Sequence, residues 1–246
     1  MDTSTKGMKA FVGSSGYSYK EWKGPFYPKD LKEADMLRYY AERFSTVEIN
    51  NTFYRMPNRE LLERWVEQTP ESFRFVLKAP QRLTHQKRLK DVGDVLPYFL
   101  DVSEGLGAKR GPFLFQLPPN MKKDAARLDA FLAELPSAAR AAFEFRHASW
   151  FDEETFGLLR ARGAALCIAD VNAPEDGGDP LPSEVVPTAS WGYLRLRRVD
   201  YTDADVDAWA ERIKAQPWEE AFVFFKHEDE GTAPRLAARL MERLSG

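Results

Sequence analysis

Eight short runs rich in aromatic and β-branched residues punctuate the chain, at positions 10–13, 46–50, 73–78, 113–117, 142–146, 165–169, 192–196 and 221–226. Each holds four to six residues, the usual length of a strand. Between most of them the apolar period changes from two to about 3.6. Leu37, Tyr40, Ala41 and Phe44 fall on one helical face within 31–44, and Leu61, Leu62, Trp65 and Val66 on another within 59–68. Further helices are predicted over 96–106, 124–135, 152–162, 202–215 and 233–244. Asp124 is a good N-cap, Pro136 and Gly163 stop the helices before them, and Thr202 opens the sixth. The interval 174–187 is dense in Pro, Gly and acidic residues and predicts a loop or one short helix. Some eight strand–helix alternations without a break in composition predict one α/β domain, a TIM-type (β/α)₈ barrel over 10–246, irregular around the sixth to seventh strand and preceded by a flexible 1–9 segment. An open, doubly wound sheet is the alternative.

Strand parity sorts the polar residues. In a barrel, alternate side chains face the interior and the outer helices. If Val47 and Ile49 face outward, Glu48 and Asn50 face in; if Phe143 and Phe145 face outward, Glu144 and Arg146 face in. The same logic pairs Val76 with Lys78, Leu114 with Gln116, Tyr193 with Arg195 and Arg197, and Phe222 and Phe224 with Lys226. Apolar residues come early in these strands and charged ones at their carboxyl ends, where barrel enzymes build their sites. The expected ring is Glu48, Asn50, Lys78, Gln116, Glu144, Arg146, Asp170, Arg195 and Lys226, slightly positive overall. Within it Glu48, Glu144 and Asp170 are the expected catalytic carboxylates. Asn50, Lys78, Gln116, Arg146, Arg195 and Lys226 are the expected substrate contacts, with Tyr17, Tyr54 and Trp150 as aromatic surfaces for a sugar or base. The alternatives are a self-neutralising ion network without a ligand, and an aromatic lid packed on itself.

Composition narrows the function classes. The 246 residues carry 35 Lys and Arg against 38 Asp and Glu, a net charge of −3, so nucleic acid and anionic membrane exert no general attraction. No run is long and apolar enough to span a bilayer, and the opening residues lack the apolar stretch of a signal peptide, so a cytoplasmic protein is expected. The single Cys167 sits in an apolar run and reads as a buried, inert thiol. His85, His147 and His227 all follow strands, yet no tight His spacing supports a metal, and Arg146 and Lys226 would repel a cation; no cofactor is expected, with a divalent metal the weaker alternative. The loop Gly13-Ser14-Ser15-Gly16-Tyr17 could offer backbone N–H groups to a phosphate but matches no phosphate-binding motif. Nothing in the pattern specifies an oligomeric state.

Several motifs occur in a recognisable order: Gly13-Ser14-Ser15-Gly16-Tyr17 with Trp22 and Phe26-Tyr27-Pro28; Val47-Glu48-Ile49-Asn50-Asn51-Thr52-Phe53-Tyr54; Phe75-Val76-Leu77-Lys78-Ala79-Pro80; Phe115-Gln116-Leu117-Pro118-Pro119; Glu144-Phe145-Arg146-His147 with Ser149-Trp150; and Ala169-Asp170. From about residue 10 to 244 the chain resembles the domain-of-unknown-function 72 family, the YecE-like proteins. The resemblance implies a TIM-type barrel and brings no established reaction. Two stretches depart from the common family pattern: Arg195-Leu196-Arg197-Arg198 stands where Arg-x-His-Gly is frequent, and Phe225-Lys226-His227-Glu228 where Phe-Asn-Asn is frequent. Both departures add positive charge.

The reading these features favour is an enzyme, a hydrolase, lyase or isomerase, acting on a small anionic or polyhydroxylated substrate by carboxylate acid/base chemistry. A nucleic-acid-binding or metal-dependent phosphodiester-processing barrel is one alternative. A non-catalytic ligand sensor with the same pocket is the other.

Overall fold

The computed structural model describes residues 7–172 and 180–246. Most of the predicted 1–9 segment, and the first part of the predicted 174–187 loop, lie outside the described residues. Eight strands run β1 (Lys9–Ser14), β2 (Thr46–Ile49), β3 (Arg74–Lys78), β4 (Arg110–Gln116), β5 (Ala141–Glu144), β6 (Ala165–Asp170), β7 (Trp191–Leu196) and β8 (Glu220–Phe225). Seven α-helices accompany them among the described residues: α1 (Met36–Ala41), α2 (Arg59–Glu67), α3 (Leu96–Ser103), α4 (Ala125–Glu134), α5 (Glu153–Ala161), α6 (Asp203–Lys214) and α7 (Thr232–Ser245). All strand pairs are parallel, in the order β1-β8-β7-β6-β5-β4-β3-β2, and a parallel bridge between Ser15 and Glu48 joins the last edge to the first. The fold is a TIM-type barrel. The irregularity expected near the sixth to seventh strand is present: residues 180–189 carry no helix between β6 and β7. None of the described helices is long and apolar enough to cross a membrane.

The helix boundaries have local causes. Asn58, Asp124 and Asp152 each accept a hydrogen bond from a backbone N–H in the first turn of α2, α4 and α5, and Thr202 with Asp205 forms a reciprocal capping pair on α6. The barrel closes between β1 and β2 by an unusual contact. Only one bridge links these strands, and the Tyr40 hydroxyl of α1 fills the gap: it accepts from the Ser14 N–H at 2.8 Å and donates to the Thr46 carbonyl at 3.1 Å. Gly13 is required there, because a Cβ would lie 2.2 Å from the Thr46 carbonyl oxygen and 2.8 Å from that hydroxyl.

Two cores follow from strand parity. Val47, Ile49, Phe73, Phe75, Leu77, Phe115, Phe143 and Phe145 pack outward against the helices. Phe11, Val76, Leu114, Ala142, Ala165, Cys167, Trp191, Tyr193, Phe222 and Phe224 fill the interior. Phe11 and Phe222 stack at 4.6 Å across the β1–β8 seam. The lower and middle layers of the barrel are therefore plugged with apolar side chains, and the buried charged residues Glu48, Glu144 and Arg195 lie toward its C-terminal end. Cys167 is buried in this inner core, which pushes its thiol well up, as expected of an inert residue.

Candidate functional site

The C-terminal end of the barrel has a buried floor made of one cation and two anions. Arg195, two residues above Tyr193 on β7, donates to Glu48 from Nε at 3.2 Å and Nη2 at 2.9 Å, and to Glu144 from Nη1 at 2.6 Å. Glu48 also accepts from the Ser15 hydroxyl at 2.7 Å and the Tyr193 hydroxyl at 2.6 Å. Arg146 donates to the other oxygen of Glu144 at 3.0 Å. Glu48 and Glu144 have no exposed side-chain surface and Arg195 has 2%. A guanidinium presents its donors in a planar fork, so Arg195 can bridge two carboxylates on different strands, which a lysine could not.

Electrostatics follow from this geometry. Burial pushes the Glu48 carboxyl up, but Arg195 and the hydrogen bonds from Tyr193 and Ser15 outweigh it and hold the group below its ordinary range. Burial likewise raises Glu144, and Arg195, Arg146, Arg197 and Lys78 together hold it well below that range. Both carboxylates are ionised at neutral pH. The expectation that they exchange protons directly with a substrate is corrected by their position: they lie beneath the mouth with their oxygens taken. Arg195, expected as a substrate contact, is instead the internal counter-ion of the floor.

Above the floor stand half-buried polar side chains. Asn50 and Gln116 turn their side-chain oxygens toward Arg195, at 3.5 and 3.4 Å. Lys78 projects from the end of β3, in register above Val76, with Nζ 4.2 Å over the Phe53 ring. Burial, reinforced by Arg195, brings the Lys78 ammonium down to about 8. His85 packs edge-on to the same Phe53 ring at 4.9 Å, and burial together with Lys78 pushes it down to about 4, so it is neutral at pH 7. Arg197 and Lys226 continue the inward registers of β7 and β8. Four cationic side chains (Lys78, Arg146, Arg195 and Arg197) act on the Glu144 carboxylate at this end of the barrel, and Lys226 follows β8 at an inward position of its register.

Asp170 is a correction. Cys167 faces the interior, which directs position 170 to the outer layer, where the carboxylate accepts from Tyr201 Oη at 2.7 Å and Trp209 Nε1 at 3.0 Å. It ties the end of β6 to α6. Trp150 is a second correction: fully buried, stacked on Phe145 at 4.6 Å and donating from Nε1 to the Met121 carbonyl at 2.7 Å, it props the loop after β5 and presents no face to a ligand. The aromatic segment after β1 packs largely on itself, with Trp22 and Tyr27 buried and in ring contact. Tyr17 and Tyr54 lie beside the mouth rather than in it. They line a groove of about 820 Å³ with Tyr19, Trp65 and Tyr98, and Asn50 connects this groove to the charged centre. Tyr54 is 75% and Tyr98 56% exposed, an unusual outlay of aromatic surface to water.

Ser15, Tyr193 and Arg197 also belong to the site, beyond the expected ring. Parity places Tyr193 and Arg197 on the Arg195 face, whereas Ser15 carries no such signal; Phe53, like Tyr54 and Trp150, is marked in the sequence only as an aromatic residue after a strand. Among the described residues no three His, Cys, Asp or Glu side chains converge to hold a metal ion. His147 meets Ser149 through Nδ1, and His227 meets the Arg198 carbonyl through Nε2.

A parallel eight-stranded barrel with a polar cluster confined to the carboxyl ends of its strands has the layout of the TIM-barrel proteins. Residues 11–246 match the family described as "Protein of unknown function DUF72", and the chain belongs to that family. It is similar to the UPF0759 protein YecE of Escherichia coli K12, 34% identical over 233 residues that cover 85% of each chain. It is also similar to the UPF0759 protein YunF of Bacillus subtilis 168, 24% identical over 270 residues that cover 95% of this chain and 94% of the other. A crystal structure of a DUF72 family protein from Thermotoga maritima superposes with a TM-score of 0.80 at 27% identity, covering 97% of this chain and all of that one.

Proposed function

We propose that the protein is an enzyme acting on a small anionic substrate bound at the barrel mouth, its anionic group among Lys78, Arg146, Arg197 and Lys226. A polyhydroxylated remainder would run past Asn50 into the aromatic groove. The observation that carries this reading is the buried Glu48–Arg195–Glu144 floor. Burying three charges brings little stability of its own, since desolvation consumes most of the Coulomb gain. Such a floor makes sense as a rigid platform that fixes Arg146 from below and leaves a cationic layer above it. The group best matched to proton transfer near neutral pH is Lys78, not a carboxylate.

Thermal-shift screening tests this. Phosphate, citrate, gluconate and pyruvate should include compounds that raise Tm, neutral polyols such as glycerol should not, and the gain should disappear in Arg146→Gln. A panel in which no anion stabilises the protein contradicts the reading. Salt-sensitive binding of oligonucleotides without binding of any small anion would favour a nucleic-acid surface instead.

A further inference from the structure

We propose that Lys78 is a covalent catalytic residue, its side-chain amine forming an imine with the carbonyl carbon of a small oxo-acid. The inference rests on the anionic-substrate reading above and names the substrate class: a carboxylate or phosphate ester that also carries a ketone or aldehyde.

Geometry sets Lys78 apart from the other cations of the mouth with defined partners. Arg146 and Arg195 are pinned to Glu144, and Arg195 also to Glu48. Lys78 makes no ion pair among the described residues; its Nζ rests over the Phe53 ring. The charged groups that act on it are Arg195 from β7 and Arg197 just after that strand, Glu144 from β5 and Glu48 from β2, and Lys78 in turn acts on His85 in the segment after β3. Arg146 lies across the same Glu144. A lysine desolvated against an aromatic ring and crowded by guanidinium groups is the arrangement that yields a free amine near neutral pH. The two carboxylates lie in the buried layer below, so a positive charge retained on nitrogen is stabilised without either carboxylate leaving its place.

The step balances without an oxidant or reductant. The neutral amine adds to the carbonyl carbon; the N–C bond forms as the C=O π pair moves onto oxygen. The carbinolamine oxygen gains protons and leaves as water, and a protonated C=N bond remains. The net change is ammonium plus carbonyl to iminium plus water.

The test is reductive trapping. The full chain is incubated with pyruvate and sodium cyanoborohydride, and the product is read by intact mass and peptide mapping. The expected result is one adduct on the peptide carrying Lys78, formed about tenfold or more faster than on any other lysine, because its free-amine fraction at pH 7 is far above that of an ordinary lysine. The rate should climb with pH through a midpoint near 8. Lys78→Arg, which keeps the charge but cannot form the imine, should lose the adduct; phosphate binding to the unaltered protein is read separately by calorimetry. Lys78→Met, which removes a half-buried ammonium, is expected to fold and to lose the adduct as well. Trapping spread over surface lysines, or unchanged in Lys78→Arg, overturns the inference. Phosphate binding with no adduct on Lys78 also overturns it and leaves the anion site standing. Absence of both results removes the two readings together.

Discussion

Replacing Arg195 by Met should lower the stability of the protein by about 3–5 kcal/mol at pH 7, because it removes the ion-pair partner of the fully buried Glu48 and leaves the equally buried Glu144 with Arg146 alone. In a chain of this length that is a fall in Tm on the order of 6–20 °C. The pH dependence of stability should also change sign. Without the guanidinium, Glu48 has only the hydrogen bonds from Tyr193 and Ser15 to set against burial, the largest influence on it, so its folded pKa should rise above the unfolded one, while Glu144 keeps Arg146, Arg197 and Lys78. A carboxyl shifted that way contributes stability below its unfolded value and loses it as pH climbs through the folded one. Arg195→Met should therefore become more stable on mild acidification, while the wild type does not. Thermal melts of both proteins from pH 4 to 8 measure this. Equal melting temperatures at pH 7 would show that the floor does not depend on its central cation. Lysine at the same position should recover only part of the loss, since one ammonium cannot replicate a fork that reaches Glu48 on one side and Glu144 on the other.

The second large effect concerns Glu144. In the wild type its pKa is held well below the ordinary carboxylate range by Arg195, Arg146, Arg197 and Lys78 acting against burial. The stabilisation is fully present above the unfolded pKa, near 4.5, and is lost as pH falls from there toward the folded value. Glu144→Gln removes that contribution at every pH and leaves Arg195 and Arg146 each short of a partner. It should cost about 3–5 kcal/mol at pH 7. The gap to the wild type should then narrow steadily below pH 5, because a protonated carboxyl and a carboxamide are close in shape and charge. Denaturant unfolding at pH 7, 5, 4 and 3 measures the narrowing. A gap that is constant with pH would mean that Glu144 is not the ionised partner of the two arginines.

Most of the barrel was legible in the sequence because two periods alternate so plainly. Outward Phe143 and Phe145 fix inward Glu144, and outward Val47 and Ile49 fix inward Glu48, whatever the exact strand ends. Asp170 shows how this reasoning fails. Its place at the end of a strand suggests an inward carboxylate, whereas alternation from Cys167 puts Ala169 inside and Asp170 against α6. A single residue of phase reverses the face. Depth along the axis is a second quantity that parity does not encode. Arg146 and Arg195 read alike in the sequence, yet Arg195 lies within the floor and Arg146 at its rim, a difference set by the stagger of β5 and β7 around the barrel. Aromatic side chains after strands are ambiguous for a different reason. Trp150 and Tyr54 both follow strand ends, but the 3₁₀ turn at Ala148–Trp150 folds its indole back onto Phe145, while Tyr54 stands in water. Neither fate is written in local composition. The lowered pKa of Lys78 was also beyond the sequence, because it arises from burial beside Phe53, which follows β2, and from Arg195 and Arg197 at the end of β7, segments far apart in the chain.

The claim on which the rest depends is that the cationic layer above the floor is a built anion site. Crystals grown without competing oxyanions and soaked in selenate, with data collected at the selenium edge, would locate an oxyanion directly. The account predicts an anomalous peak at the mouth of the barrel, within hydrogen-bonding reach of Arg146 and Lys78, that is lost in Arg146→Gln. Selenate bound only at surface lysines, with no peak at the mouth, would contradict it.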